Sequence, residues 1–469
     1  MKIKILIIIL LATSNLFAQY PTTQLLLSDV PQSKYYNAGS FPEYSGHFGF
    51  PVLSNISVKA SSSGFAMKDI FKNKNTLDLN GLLDGLSNKN YINTGFGIDV
   101  LSFGFKVKKN YFSLNITPKA DFNIGYNKDL LGFIINGNGG YIGETISFDG
   151  TGFDISVYNE VGIGYTREVD EKLSIGGRLK LLTGLANLSG NFDGISLYTD
   201  NDNFELTANS TFSINQYGAH LIPGDNGDSL TEAWGAPLVN PSNLGLGVDF
   251  GAAYKVSDKL NVFASVIDLG YLSWKDFGEE LYNDGASFSF GGLSLDEVLN
   301  NDTTGGDDED FFSELTDSAN GVFALERKRS SYTTSLKTKI FAGLNYKVND
   351  YIDADAVLHG RFFGSKFYPA IMLGAGLNLK RWLRLKLSYA ATNGSYDNLG
   401  TALVLNLGAF QIYGSMDNLL GFTQLDYARN LNGSFGINFV FGKNKDEEKS
   451  KKRKKATKAS KKNDDPIVE

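Results

Sequence analysis

A chain of 469 residues is long enough for two or three soluble domains or for one very large sheet. Its 52 Gly, 34 Phe and 23 Tyr favour strands and tight turns over packed helices, and the absence of Cys excludes disulfides, thiolate metal sites and lipid attachment at a cysteine. The net charge of −7 hides a division: without the C-terminal tail and the two leading lysines, 31 basic residues face 45 acidic ones, a net −14.

Residues 1–18 read as a secretory signal, with Lys2 and Lys4 before an apolar stretch and Ala18 preceding a cut before Gln19. That stretch is too short to cross a bilayer core of ~30 Å as a helix, and no later segment is long and apolar enough. An exported protein without a membrane helix is expected. Residues 19–45 show no strand pattern and are expected to fold into a lumen as a plug.

Beyond them the chain alternates. In residues 336–348 the even positions are Leu336, Thr338, Ile340, Ala342, Leu344, Tyr346 and Val348. The odd ones are Lys337, Lys339, Phe341, Gly343, Asn345 and Lys347. Leu383, Leu385, Leu387 and Tyr389 likewise oppose Arg384, Lys386 and Ser388. Period two marks strands with one apolar and one polar face. A soluble sandwich or a barrel with lipid outside and water inside produces it. Sandwich strands average about 5–6 residues, whereas tilted membrane strands need ~9–11. The longer alternating runs here favour the barrel.

The connections agree. Tyr254-Lys-Val-Ser-Asp-Lys-Leu260 has near copies in Tyr346-Lys-Val-Asn-Asp-Tyr-Ile352, Phe105-Lys-Val-Lys-Lys-Asn-Tyr111 and, more loosely, residues 165–173. Each reads as a short hairpin turn, whereas residues 190–242 and 273–332 are long connections. Short turns at one end and long loops at the other are the layout of an outer-membrane barrel, with Tyr254 and Tyr346 in its aromatic girdle.

In chain order the predicted strands are 55–64, 94–107, 111–125, 152–167, 172–189, 243–256, 260–272, 333–347, 351–363, 368–379, 382–392, 399–406, 409–416 and 433–442. The expected fold is therefore all-β, a transmembrane antiparallel up-and-down barrel of about 14 strands, range roughly 12–16, within residues 46–442. An even count puts both ends on the periplasmic side. Residues 203–215 add strands or form an outer hairpin.

These details resemble an uncharacterised outer-membrane barrel family of the Bacteroidetes, a domain of unknown function. The likeness rests on Tyr36-Asn-Ala-Gly-Ser-Phe-Pro42, Gly49-Phe-Pro-Val-Leu-Ser54, residues 101–112, Gly176-Gly-Arg-Leu-Lys180, residues 407–413, Asp417-Asn418 and residues 435–442. The family more often has Asn-Pro where Asn37-Ala38 stands here, and Gly-Pro-Phe where Gly408-Ala-Phe410 stands. It is distantly similar to fatty-acid-channel barrels and to accessory barrels of gliding and type IX secretion. The resemblance implies architecture and brings no established activity.

No motif assembles a nucleophile, a base and a third group, so an enzyme is not expected. His47, His220 and His359 lack metal-ligand spacing, and no cofactor or metal is expected. Arg178, Lys180, Lys337, Lys339, Arg384 and Lys386 fall on the polar, inward faces. A basic lumen favours anions through a pore. The alternative is internal pairing: Lys347 would lie opposite Asp353 as a cross-strand ion pair, and Glu160 and Asp249 would neutralise others.

Residues 276–317 carry 13 Asp/Glu and no Lys or Arg; a solvated mobile loop or loose divalent binding near lipopolysaccharide accounts for them, and Asp307-Asp-Glu-Asp310 lacks calcium-loop spacing. The basic tail 443–469 reads as a disordered periplasmic segment or as a tether to an anionic polymer or protein, with no nucleic acid as partner. Lipid, lipopolysaccharide and the barrel-assembly machinery are the other expected partners. Two functions stay open. One is a passive channel or transporter for a small solute, hydrophobic or anionic; the other is a non-transporting scaffold of a surface or secretion complex. An apolar lumen pocket favours the first, a packed polar lumen the second.

Overall fold

The computed structural model describes residues 23–73, 76–218, 242–275, 278–290, 326–363, 366–379, 382–392 and 395–442. The signal at 1–18, the tail at 443–469, His220 and Asp307–Asp310 lie outside these residues.

Antiparallel strands close into a barrel of 14. They are β1 (Gly46–Gly49 and Ile56–Ser62), β2 (Lys89–Ile98 and Leu101–Val107), β3 (Asn110–Asn127), β4 (Gly152–Glu168), β5 (Leu173–Asn191), β6 (Leu244–Lys255) and β7 (Leu260–Trp274). The circuit continues with β8 (Tyr332–Ser335 and Lys339–Lys347), β9 (Ile352–Phe363), β10 (Lys366–Leu379), β11 (Leu383–Thr392), β12 (Ser395–Leu407), β13 (Phe410–Met416) and β14 (Asn430–Phe441). Each pairs with the next, and β14 returns to β1 through Gly46↔Phe441 and Ile56↔Phe435. Closure leaves the wall itself without a free edge, so its backbone groups pair within the cylinder.

Every predicted strand lands on a wall strand. The first begins earlier than expected, at Gly46, because residues 50–55 leave the ladder and rejoin it at Ile56. Ile437 holds this excursion, accepting from the Phe50 amide at 2.9 Å and donating to the Leu53 carbonyl at 2.8 Å. Residues 203–215 add no wall strand. Leu206–Tyr217 pairs with the far end of β5 and with Glu279–Phe290. The acidic stretch read as a loop thus contributes a strand, and its residues 291–317 lie outside the described ones. This extension closes over Leu188, Ile214 and Leu281, packed with Phe153, Phe192 and Phe212.

The recurring turn has a common construction. Asp170 Oδ1 accepts from the amides of Lys172 and Leu173 at 2.7 and 2.8 Å. Asn349 Oδ1 does the same for Tyr351 and Ile352 at 2.8 and 2.9 Å, and Ser257 Oγ for Lys259 and Leu260 at 3.3 and 3.1 Å. In all three the preceding valine donates its amide across the turn, Val169 to Leu173, Val256 to Leu260 and Val348 to Ile352. A short polar side chain that bonds its own backbone two residues on makes such a turn locally. The Phe105 copy turns differently, through Lys108 at φ 55°.

The outside of the wall is apolar. Ile163, Leu179, Phe250, Leu358, Leu373, Leu387 and Leu403 are all exposed. At the short-turn end Phe105, Phe112 and Tyr165 lie in a row with ring centres 5.6 and 5.3 Å apart, and Tyr254, Tyr346 and Trp382 are exposed at the same end. A belt of this extent is insoluble in water and matches lipid. No described helix is long and apolar enough to cross a membrane, which says nothing of strands.

Candidate functional site

Residues 23–45 occupy the lumen. Two short 3-10 turns, Thr23–Leu26 and Pro31–Tyr35, fold the segment compactly, with Pro31 supplying the fixed φ that starts the second. Thr23 Oγ1 meets Ser388 Oγ of β11 at 2.8 Å, and Gln24 donates to Asn55 at 3.2 Å. Gln32 and Asn438 of β14 exchange two hydrogen bonds of 3.0 Å. Tyr35 donates to Asp99 at 2.6 Å, and Ser265 of β7 donates to the Tyr36 carbonyl at 2.5 Å. Ser174 of β5 donates to the Gly39 carbonyl at 2.7 Å. One short segment reaches these widely separated strands only from inside the cylinder.

Apolar contacts seat it further. Leu25, Leu26 and Tyr36 pack with Ile267, Phe341, Val357 and Met372, while Leu27 and Val30 pack with Val404 and Tyr413. The Ala38–Gly39 backbone lies against Gly176 and Gly251, which face each other across β5 and β6. A Cβ at Gly251 would stand 2.6 Å from the Gly39 amide, and one at Gly176 2.1 Å from the Ala38 carbonyl oxygen. Glycine is required at both because backbone rests on backbone.

The six cations predicted to point inward do so, and each has a carboxylate partner. Arg178 bonds Glu160 and Asp249, both at 3.0 Å. Lys180 bonds Asp249 at 2.7 Å and also Asp268. Lys337 pairs with Asp154 and Lys339 with Asp268. Arg384 reaches Asp29 of the lumen segment at 2.7 Å. Lys386 lies between Asp353 and Asp355, the latter at 2.5 Å. Anion attraction by free cations has no basis at these six positions.

One expected pair changes partners. Lys347 does stand opposite Asp353 in register, yet its ammonium bonds Asp350 within the exposed turn at 3.0 Å. Asp353 points down the lumen instead, where the buried Lys386 offers a less screened charge.

The carboxylate hub Asp268 was not legible from period two, which turns it outward. The β6–β7 register shifts between Val248 and Phe250, and Asp268 sits at φ 58° with its amide donating to Asp249 at 2.8 Å. This bulge turns Asp268 inward beside Ile267. The available signal was an Asp on the otherwise apolar face that period two assigns to lipid. Asp29 and Asp154 also went unassigned.

On the long-loop side of the segment lies a polar cavity of about 40 Å³ of water-accessible space, lined by Lys59, Asp121, Asp154, Lys337, Lys339 and Arg361 among others. Lys34, in the segment itself, donates to Thr166 at 3.0 Å and lies 4.9 Å from the centre of the Tyr111 ring. Burial, then repulsion from Arg178 and Lys106, lowers its pKa to about 7. His47 bonds Tyr111 at 2.6 Å and Ser102 at 3.2 Å, while His359 stacks on Phe341 in another part of the lumen.

The model of a family described as "Family of unknown function (DUF5723)" matches residues 39–417, from the end of the lumen segment to the end of β13. The chain belongs to this family. No curated protein matches this DUF5723 chain. Among solved structures it is similar to the Ralstonia pickettii toluene transporter TbuX, at 9% identity, over 92% of this chain and 96% of that one, with a TM-score of 0.41. It is also similar to a Pseudomonas aeruginosa FadL homologue at 8% identity, over 91% and 99%, with a TM-score of 0.39. For the CymD monoaromatic hydrocarbon channel the figures are 10%, 91%, 94% and 0.40. Superpositions this loose transfer no solute and no residue role to the DUF5723 chain.

Proposed function

We propose that the protein is an outer-membrane conduit for small polar solutes, shut in this state by residues 23–45 acting as a plug. The character of the inner wall carries the reading. Asn93, Asn115, Thr117, Arg178, Lys180, Asp249, Lys339, Asp355, Lys386, Asn398, Gln411 and Asn438 are all buried, polar and inward. Water can satisfy every one of these groups once the segment leaves. A permanent filling does not need them, because buried ion pairs generally stabilise no better than apolar packing of the same volume. The apolar belt supports lipid as its surroundings, and short turns grouped at one end support the periplasm there and long loops outward.

The scaffold reading also has an observation in its favour, since the lumen is packed and polar. Proteoliposome swelling in small sugars and amino acids separates the two. A conduit swells slowly with the intact chain and rapidly after deletion of residues 19–45. A scaffold swells in neither case, although a heat-modifiable gel shift shows a closed barrel in both.

A further inference from the structure

The cavity on the long-loop side has unbalanced chemistry. Four cations line it, Lys59, Lys337, Lys339 and Arg361, against three carboxylates, Asp121, Asp154 and Asp268. Each lysine is held by one of those carboxylates. Arg361 has no carboxylate partner among the described residues, and only 5% of it is exposed. Its guanidinium lies over the ring of Tyr91 on the far wall, 5.0 Å from the ring centre, and also shares a hydrogen bond with that side chain, which leaves the Nε edge. The buried Nε on that edge has no acceptor. That edge, Nε–H beside an Nη–H, matches the two oxygens of a carboxylate.

A second unmatched atom lines the same space. Asn93 is 3% exposed, and its amide nitrogen donates to Asn123 Oδ1 at 2.5 Å and to the Phe122 carbonyl at 3.4 Å. Its Oδ1 receives no donor. Buried polar atoms are rarely left so, and these two, of opposite kind, belong to residues that line one cavity. The cavity, of about 40 Å³, has room for only a few heavy atoms. The Lys59 and Lys337 side chains that line it are 16% and 28% exposed.

We propose that Arg361 and Asn93 form a binding site for a small hydroxy- or amino-carboxylate, with the carboxylate on the Arg361 edge and the hydroxyl or ammonium on Asn93 Oδ1. An incoming carboxylate neutralises the excess charge, and a plain acid or a neutral amide satisfies only half the site. Binding here does not require the plug to move, so the site stands apart from the conduit reading.

The test titrates the full-length protein, refolded in detergent micelles, with lactate and glycine by saturation-transfer NMR. Acetate, lactamide and inorganic phosphate are the comparators. Lactate or glycine should saturate, with acetate and lactamide weaker by about tenfold or more. Arg361→Gln should remove lactate binding, and Asn93→Leu should reduce lactate to the level of acetate. Arg361→Lys, which keeps the charge and loses the paired edge, should bind lactate weakly and provides a second variant if Arg361→Gln fails to fold. No saturable binding at tens of millimolar, a preference for phosphate, or lactate binding unchanged in a folded Arg361 variant would overturn the assignment.

Discussion

Lys386 shows how much single charges matter inside this barrel. Its ammonium faces Asp353 and Asp355, all three are buried, and removing it leaves two carboxylates without a counter-charge. Lys386→Met should therefore lower stability by about 3–5 kcal/mol, read from urea unfolding followed by tryptophan fluorescence. Lys34 sets a pH dependence. Its pKa falls from 10.5 free to about 7 in place, so seating releases a proton between those values. Seating then strengthens as pH rises from about 7 towards 10.5, and is insensitive to Lys34 below that window. Opening frequency in a planar bilayer should fall across this range and become flat in Lys34→Met. The inward positions of the six cations were legible because alternation fixes the face of a side chain. Their partners were not. Asp268 depends on a bulge that period two cannot express, and Asp29 comes from a segment without any period.

Among elements, the turns and the glycine seat behave independently. Asn349→Ala removes two hydrogen bonds from an exposed turn and should cost about 1 kcal/mol in the same unfolding assay, with the plug unaffected. Gly251→Val acts in the opposite way. Its side chain would meet Asn37 Oδ1 and the Gly39 amide at 2.5 and 2.6 Å, so the barrel should still close while the segment is displaced. The variant should retain the heat-modifiable gel shift and conduct more than the wild type. Strand positions were readable wherever one face meets lipid, because every second residue must then be apolar. The piece Gly46–Gly49 is short and ends before Pro51, and Glu279–Phe290 carries three acidic residues beyond the lipid-facing wall. The first is too short to show alternation, and the second alternates only in its last five residues, 286–290.

For the whole molecule, the wall fixes a closed cylinder, and in the conduit proposed above the state of the lumen decides whether it conducts. Residues 23–45 are held by many modest polar contacts, the Asp29–Arg384 ion pair and three small apolar patches, and they join the wall covalently at β1. Such an interface can be exchanged for water, whereas a continuous apolar core cannot. The chain has no native cysteine, so a single introduced pair can lock it cleanly. Thr23 and Ser388, with side-chain oxygens 2.8 Å apart, lie at the end of the segment opposite its junction with β1. A disulfide between Thr23→Cys and Ser388→Cys would tie the segment at both ends. The decisive measurement is single-channel conductance of this double variant before and after reduction. The account predicts silence when oxidised and wild-type openings when reduced; equal behaviour in the two states, with the disulfide shown to have formed, would contradict a movable plug.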